Sequence, residues 1–137
     1  MNELLTRVAD LELPVQDFAI FGSGPLLVRG VIDSANDIDI ICRDAAWEKA
    51  LSIGELVHLD DYDIDIVSID DGAITFGRSW GIGSFDVKQL IDSAEIIDGL
   101  PFVLLKFVVE YKQIAGRQKD LQHLKLLDDY WSTRSMM

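Results

Sequence analysis

The strongest constraint on the fold is a pair of aspartates, Asp37 and Asp39, in a segment that otherwise has the apolar composition of a buried strand. Residues two apart on a strand point to the same face, so the two carboxylates should lie close together. Like charges that are close repel each other and destabilise a fold unless an opposite charge offsets them. We therefore expect the pair either to face solvent on a half-exposed strand or to hold a divalent cation.

A turn of small residues precedes the aspartates. Gly22-Ser23-Gly24 follows an apolar stretch and is followed by Pro25, which suits the first turn of a helix. Glycines at a strand-to-helix junction let the backbone approach a ligand, and the free N–H groups of a helix start favour phosphate. A phosphate turn and a carboxylate pair together indicate a nucleotide site with magnesium. A glycine turn alone is more often only an ordinary turn.

A second run of alternating acids spans Asp63-Ile64-Asp65-Ile66-Val67. If this strand lies beside the first, Asp65 or Asp63 would complete a set of three carboxylates. A third carboxylate can bind a second ion or take a proton from an attacking hydroxyl. The solvated side of an exposed strand gives the same alternation.

Composition narrows the classes of protein. The 137 residues fit one domain, 1–137, and 49% are hydrophobic, enough for a packed core. There are 12 Lys and Arg against 24 Asp and Glu, and the net charge of −12 disfavours an extended nucleic-acid surface. No stretch reaches the roughly 20 apolar residues of a membrane span, and the start lacks a signal peptide. We expect no membrane association, a cytoplasmic location and a buried Cys42.

Hydrophobic periodicity predicts an α+β (α/β) fold in which helices flank a small mixed sheet and a helical pair ends the chain. The predicted strands are 18–21, 38–42, 55–59, 63–69 and 94–97. The predicted helices are 2–11, 25–29, 44–51, 86–91, 101–115 and 120–131. The sheet core should cover about 17–100 and the helical pair about 101–131, while the glycine-rich stretch 73–83 stays unassigned.

Two motifs resemble a known family. Phe21-Gly22-Ser23, thirteen intervening residues and Asp37-Ile38-Asp39-Ile40 resemble the signature of the DNA polymerase β-like nucleotidyltransferase superfamily. The segment from Lys112 to Leu121, KQIAGRQKDL, is similar to the "K…GR-x-KD" segment of its minimal bacterial members. These include AbiEii-like toxins and relatives of the aminoglycoside and lincosamide nucleotidyltransferases. The resemblance covers roughly residues 17–127.

The resemblance implies Mg²⁺-dependent transfer of a nucleoside monophosphate from an NTP to an acceptor hydroxyl. The acceptor would belong to a small molecule, a protein or an RNA end. The resemblance assigns magnesium binding to Asp37 and Asp39 and gives Asp65 as the third acid. Asp63 is the second choice for the third acid. The residues implied in nucleotide binding are Gly22, Ser23, Lys112, Arg117 and Lys119.

The sequence also departs from the family pattern. Asp33 and Ala35 stand where minimal members often carry a basic residue and a threonine, and His123 stands where many carry a second acid. These departures leave open a catalytically reduced domain that acts as a binding or regulatory partner, as in toxin–antitoxin pairs. A homo-oligomer or a partner chain would then complete the site. Asp120 has an alternative role as the cap of the last helix.

Overall fold

A mixed β-sheet with helices on both faces forms the centre of the molecule. The structure, a computed structural model, describes residues 2–81 and 83–135. The strands are β1 (Phe18–Phe21), β2 (Ile38–Cys42), β3 (Glu55–Leu59), β4 (Ile64–Ile69), β5 (Ile74–Gly77), β6 (Glu95–Ile97) and β7 (Leu100–Phe102). The helices are α1 (Glu3–Asp10), α2 (Gly24–Val28), α3 (Asp44–Ile53), α4 (Val87–Asp92), α5 (Leu105–Ala115) and α6 (Gln118–Ser135). The predicted fold class, a mixed sheet flanked by helices with a C-terminal helical pair, is confirmed.

The strand order is β3-β4-β5-β2-β1-β7-β6. Strand β2 runs antiparallel to β1, with Asp39 opposite Phe21, and parallel to β5, with Asp39 opposite Thr75. Strand β5 therefore separates β2 from β4, which carries Asp65. The sequence predicts that Asp65 joins the aspartate pair only if its strand lies beside β2, and β4 does not lie beside β2.

Two segments differ from the sequence prediction. The predicted helix 101–115 begins only at Leu105, because residues 100–102 form β7 and pair with β1 through Ile20 and Phe102. A short apolar run has the same pattern in a buried strand and in a buried helix, so periodicity does not separate them. The unassigned stretch 73–83 contains β5, whose residues Ile74-Thr75-Phe76 alternate apolar and polar side chains.

The register divides the sheet into two faces. Paired residues share a face, so Phe21, Asp39 and Thr75 lie on one face, which we call the site face. Helices α4 and α5 cover part of it through Leu90 and Tyr111. Helix α2 packs on the opposite face. None of the helices within residues 2–81 and 83–135 is long and apolar enough to span a membrane.

Candidate nucleotide site

The glycine turn is fitted closely to the Asp39 carboxylate. Gly22 has a φ of +62°, a left-handed conformation that favours glycine. A Cβ at this position would also lie 2.8 Å from Asp39 Oδ2. Backbone conformation and space both require glycine here, which places the turn beside the aspartate pair, as the motif predicts.

Ser23 adjoins this turn and precedes α2. Its carbonyl accepts hydrogen bonds from the N–H groups of Leu26 and Leu27, at 3.1 and 3.0 Å. Its side chain makes no capping hydrogen bond and is half-buried. The carbonyl thus anchors the first turn of the helix, while the hydroxyl is not used for capping.

Asp39 is a half-buried acid whose carboxylate is largely desolvated. Thr75 Oγ1 donates a hydrogen bond of 2.7 Å to Asp39 Oδ1. Burial raises the pKa of Asp39 and the charge of Asp37 raises it further, while Thr75, Lys119 and Arg117 act in the opposite direction. The balance leaves the pKa above its ordinary value. The site therefore favours a cation close to this carboxylate, because a cation stabilises its ionised form.

The turn between α5 and α6 brings cations opposite the acids. Gly116, with a φ of +59°, reverses the chain after α5. Arg117 and Lys119 then line the same cleft as Asp37 and Asp39, a space of about 140 Å³. The other walls of the cleft are Leu59, Tyr62, Ile64, Trp80 and Tyr111. Carboxylates suit a divalent cation, and guanidinium and ammonium groups suit phosphate, so this cleft has complementary groups for both.

A buried carboxylate fixes the position of Arg117. Asp120 is fully buried and accepts hydrogen bonds from Arg117 Nε at 2.7 Å and from its backbone N–H at 3.2 Å. The backbone contact is one half of a capping box at the start of α6. Burial alone would raise the pKa of Asp120, but Arg117 and Lys112 lower it below its ordinary value. Asp120 therefore both caps α6 and orients a cation of the cleft.

Lys112 is not in the cleft. Its side chain is buried between α5 and α6, 1% exposed, with Nζ 3.5 Å from Asp120 Oδ1 and 3.0 Å from His123 Nδ1. The predicted nucleotide contact is thus not brought to the other site residues. Lys112 instead stabilises the carboxylate that holds Arg117.

Asp65 and Asp63 also lie apart from the aspartate pair. Ile66 pairs with Gly77, and Gly77 pairs with Ile41 on the site face, so Asp65 points to the opposite face. There its Oδ1 lies 2.8 Å from His58 Nδ1, and Asp63 Oδ1 lies 3.3 Å from His58 Nε2. Within the described ranges no three His, Cys, Asp or Glu side chains are grouped to hold a metal ion.

Sequence reasoning missed two residues of the site, Thr75 and Tyr111. Thr75 takes the position beside Asp39, and the alternation around it was a strand signal inside the glycine-rich stretch. Tyr111 packs its ring 5.0 Å from that of Phe21, a tertiary contact that a helical pattern does not reveal. Trp80 also lines the cleft, from the loop after β5.

Comparisons with known proteins add no assignment to this geometry. Neither the protein-family models, nor the curated proteins, nor the solved structures gave a match.

Proposed function

We propose that this chain binds a magnesium nucleoside triphosphate in the Asp37–Asp39 cleft and transfers its nucleoside monophosphate to an acceptor hydroxyl. The observation that supports the proposal most directly is the meeting, in one cleft, of Asp37 and Asp39 with Arg117 and Lys119. The two motifs that resemble nucleotidyltransferases are far apart in the chain, and residues of both line that cleft.

The residues present fit magnesium. Magnesium commonly takes one or two protein carboxylates and completes its coordination with water and phosphate oxygens. Asp39 has a raised pKa, and a cation beside it would relieve the cost of its ionisation. Asp37 and Asp39 would hold the ion, which in this class of reaction neutralises charge on the transferring phosphoryl group.

The cations fit the phosphates. Arg117 is oriented by Asp120 and is 42% exposed, so its guanidinium keeps surface for a ligand. Lys119 is exposed and adds a second positive charge at the same wall. Gly22 lies beside Asp39, and Ser23 follows it at the start of α2, so the backbone of this turn is the part of the motif that would approach the triphosphate.

Calorimetric titration with ATP, GTP, CTP and UTP in excess magnesium tests binding. We expect magnesium-dependent binding that the Asp37→Ala/Asp39→Ala variant loses. The matched control is Asp128→Ala/Asp129→Ala, which removes two exposed acids from α6 and should bind as wild type does. Lys119→Ala should weaken binding about tenfold, the lower range for a hydrogen bond to a charged group. If the Asp37→Ala/Asp39→Ala variant bound the triphosphates as tightly as wild type does, the proposed nucleotide site would be refuted.

One observation favours a second candidate, a nucleotide-binding partner domain with reduced catalysis. Thr75 stands beside Asp39 where a third carboxylate would complete the set, and Asp65 lies on the other face. A neutral hydroxyl is a poor base for an attacking hydroxyl. Release of pyrophosphate separates the two functions: release with a small-molecule, protein or RNA acceptor supports transfer, whereas binding without release across all three supports the partner domain.

A further inference from the structure

A second cavity lies on the site face next to the cleft. It has a volume of about 110 Å³, with Phe21, Ile41, Phe85 and Leu90 among its walls. Ile41 is two residues from Asp39 on the same face of β2, roughly 7 Å along the strand. Trp80 and Tyr111 line both the cavity and the cleft. The two spaces are therefore neighbours that share an aromatic wall.

The shared wall contains a hydrogen-bond donor without a partner. The Nε1 atom of Trp80 is buried and has no acceptor among the described residues. A buried donor left unpaired costs free energy, and the few that occur in native proteins often indicate a missing water or ligand. The walls of the adjoining cavity include Ser79 and Ser84, which add hydroxyl groups to the mainly aromatic and aliphatic lining. The combination suits a flat ring that carries a hydrogen-bond acceptor.

We infer that this cavity holds the base of the nucleotide and selects pyrimidines; the inference rests on the proposed function. A cavity of about 150 Å³ accommodates benzene, so 110 Å³ leaves room for one ring at most and none for a purine. The position also fits, because a base is joined to its α-phosphate through one ribose and must lie within several ångströms of the metal-binding acids. Cytosine and uracil both carry a ring carbonyl, the kind of acceptor that the unpaired Trp80 N–H lacks.

Affinity for the four triphosphates gives the first test. With excess magnesium, CTP and UTP should bind about tenfold or more tightly than ATP and GTP, because forcing a second ring into a one-ring space costs overpacking energy. Trp80→Phe keeps an aromatic side chain and removes the N–H, so CTP and UTP should each lose about three- to tenfold in affinity. Equal affinity for all four triphosphates, with Asp37 and Asp39 still required, would overturn the inference and leave the proposed function standing.

The indole N–H signals give a second test that needs no magnesium. The chain has three tryptophans, and the signal missing in Trp80→Phe identifies Trp80 in a ¹⁵N-correlated spectrum. Cytidine and uridine should shift that signal, and adenosine should not. A Trp80 shift with cytidine and uridine but without any triphosphate binding would support a pyrimidine-selective cavity and refute the proposed function. An unmoved Trp80 signal, or an equal shift with adenosine, would overturn the inference.

A variant that fills the cavity tests whether the base binds there. Ser84 is exposed, so Ser84→Phe should fold and place a ring in the cavity. It should abolish the cytidine-induced shift and the preference for CTP and UTP. Ser52→Phe, at an exposed position on α3, is the matched control and should leave both unchanged. Retention of the preference in Ser84→Phe would place the base elsewhere and overturn the inference.

Discussion

Asp120 is the buried anion on which two cations of the helical pair converge, and its removal should expose how much the site depends on it. In Asp120→Asn the shape is kept and the charge is lost. Lys112, 1% exposed, would then have a neutral amide and His123 beside its buried amino group in place of the carboxylate. The acceptor of the 2.7 Å hydrogen bond from Arg117 Nε would lose its negative charge.

The expected loss follows from burial. Removing one partner of a buried ion pair typically costs about 3–5 kcal/mol, because the other charge remains desolvated and unpaired. The contact to Arg117 adds little, since that side chain is 42% exposed and solvent screens it. We therefore expect Asp120→Asn to lower the free energy of unfolding by about 3–5 kcal/mol at pH 7.

Urea denaturation followed by circular dichroism measures this difference. Asp128→Asn, an exposed acid on the same helix, is the control and should change stability by no more than about 0.5 kcal/mol. Adding Lys112→Met to Asp120→Asn should recover most of the loss, because the stranded buried charge is then gone. A loss below about 1 kcal/mol in Asp120→Asn, or no recovery in the double variant, would refute the account of Lys112 as a charge that depends on Asp120.

The pH dependence provides an internal check. Because the folded pKa of Asp120 lies below its ordinary 3.8, ionised Asp120 stabilises the fold fully above that value. This contribution is lost as the pH falls through the folded pKa. The gap in stability between wild type and Asp120→Asn should therefore narrow below about pH 3.8 and stay wide at neutral pH.

Three further predictions follow from charge and position. Asp39→Asn should raise the Tm in EDTA by about 2–4 °C, because it removes a carboxylate whose raised pKa marks an unfavourable charge at neutral pH; calorimetry measures it. Asp65→Asn should leave the affinity for magnesium–CTP within about twofold of the wild-type value, because Asp65 lies on the other face of the sheet. The same variant should lower the raised pKa of His58, which an NMR titration measures. Burial lowers the pKa of His123 and the nearby Lys112 charge adds to this, so unfolding studies should show stability falling below pH 6.5 in wild type and falling less in His123→Gln.

Local patterns in the sequence were enough to predict most of the sheet. The strands carrying Phe21 and Asp39 have continuous apolar frames, and the structure has both as predicted. The order of strands was not accessible, because β5 inserts between β2 and β4 through a pairing that no local pattern encodes. That single insertion moved Asp65 away from the aspartate pair and put Thr75 in its place.

The residues of the site also divide into those that a local pattern predicts and those that it does not. A glycine turn after a strand and a basic turn between two helices are local signals, and the structure has Gly22 and Arg117 in turns of these kinds. Lys112 has the same motif support but is buried, because a long side chain at a helix end can turn inward toward a buried carboxylate. A motif identifies which residues matter more reliably than it identifies what each side chain contacts.

The aspartate pair is only partly neutralised by the protein itself. Thr75, Lys119 and Arg117 each lower the pKa of Asp39, yet burial and Asp37 leave it raised. The built-in groups therefore reduce the repulsion without removing it. If the cations offset the charges of the acids fully, the cleft would have no remaining preference for a metal ion. If the cations were absent, the fold would bear the whole free-energy cost of the two charges. Incomplete compensation is what a site needs in order to gain free energy when magnesium and a triphosphate bind together.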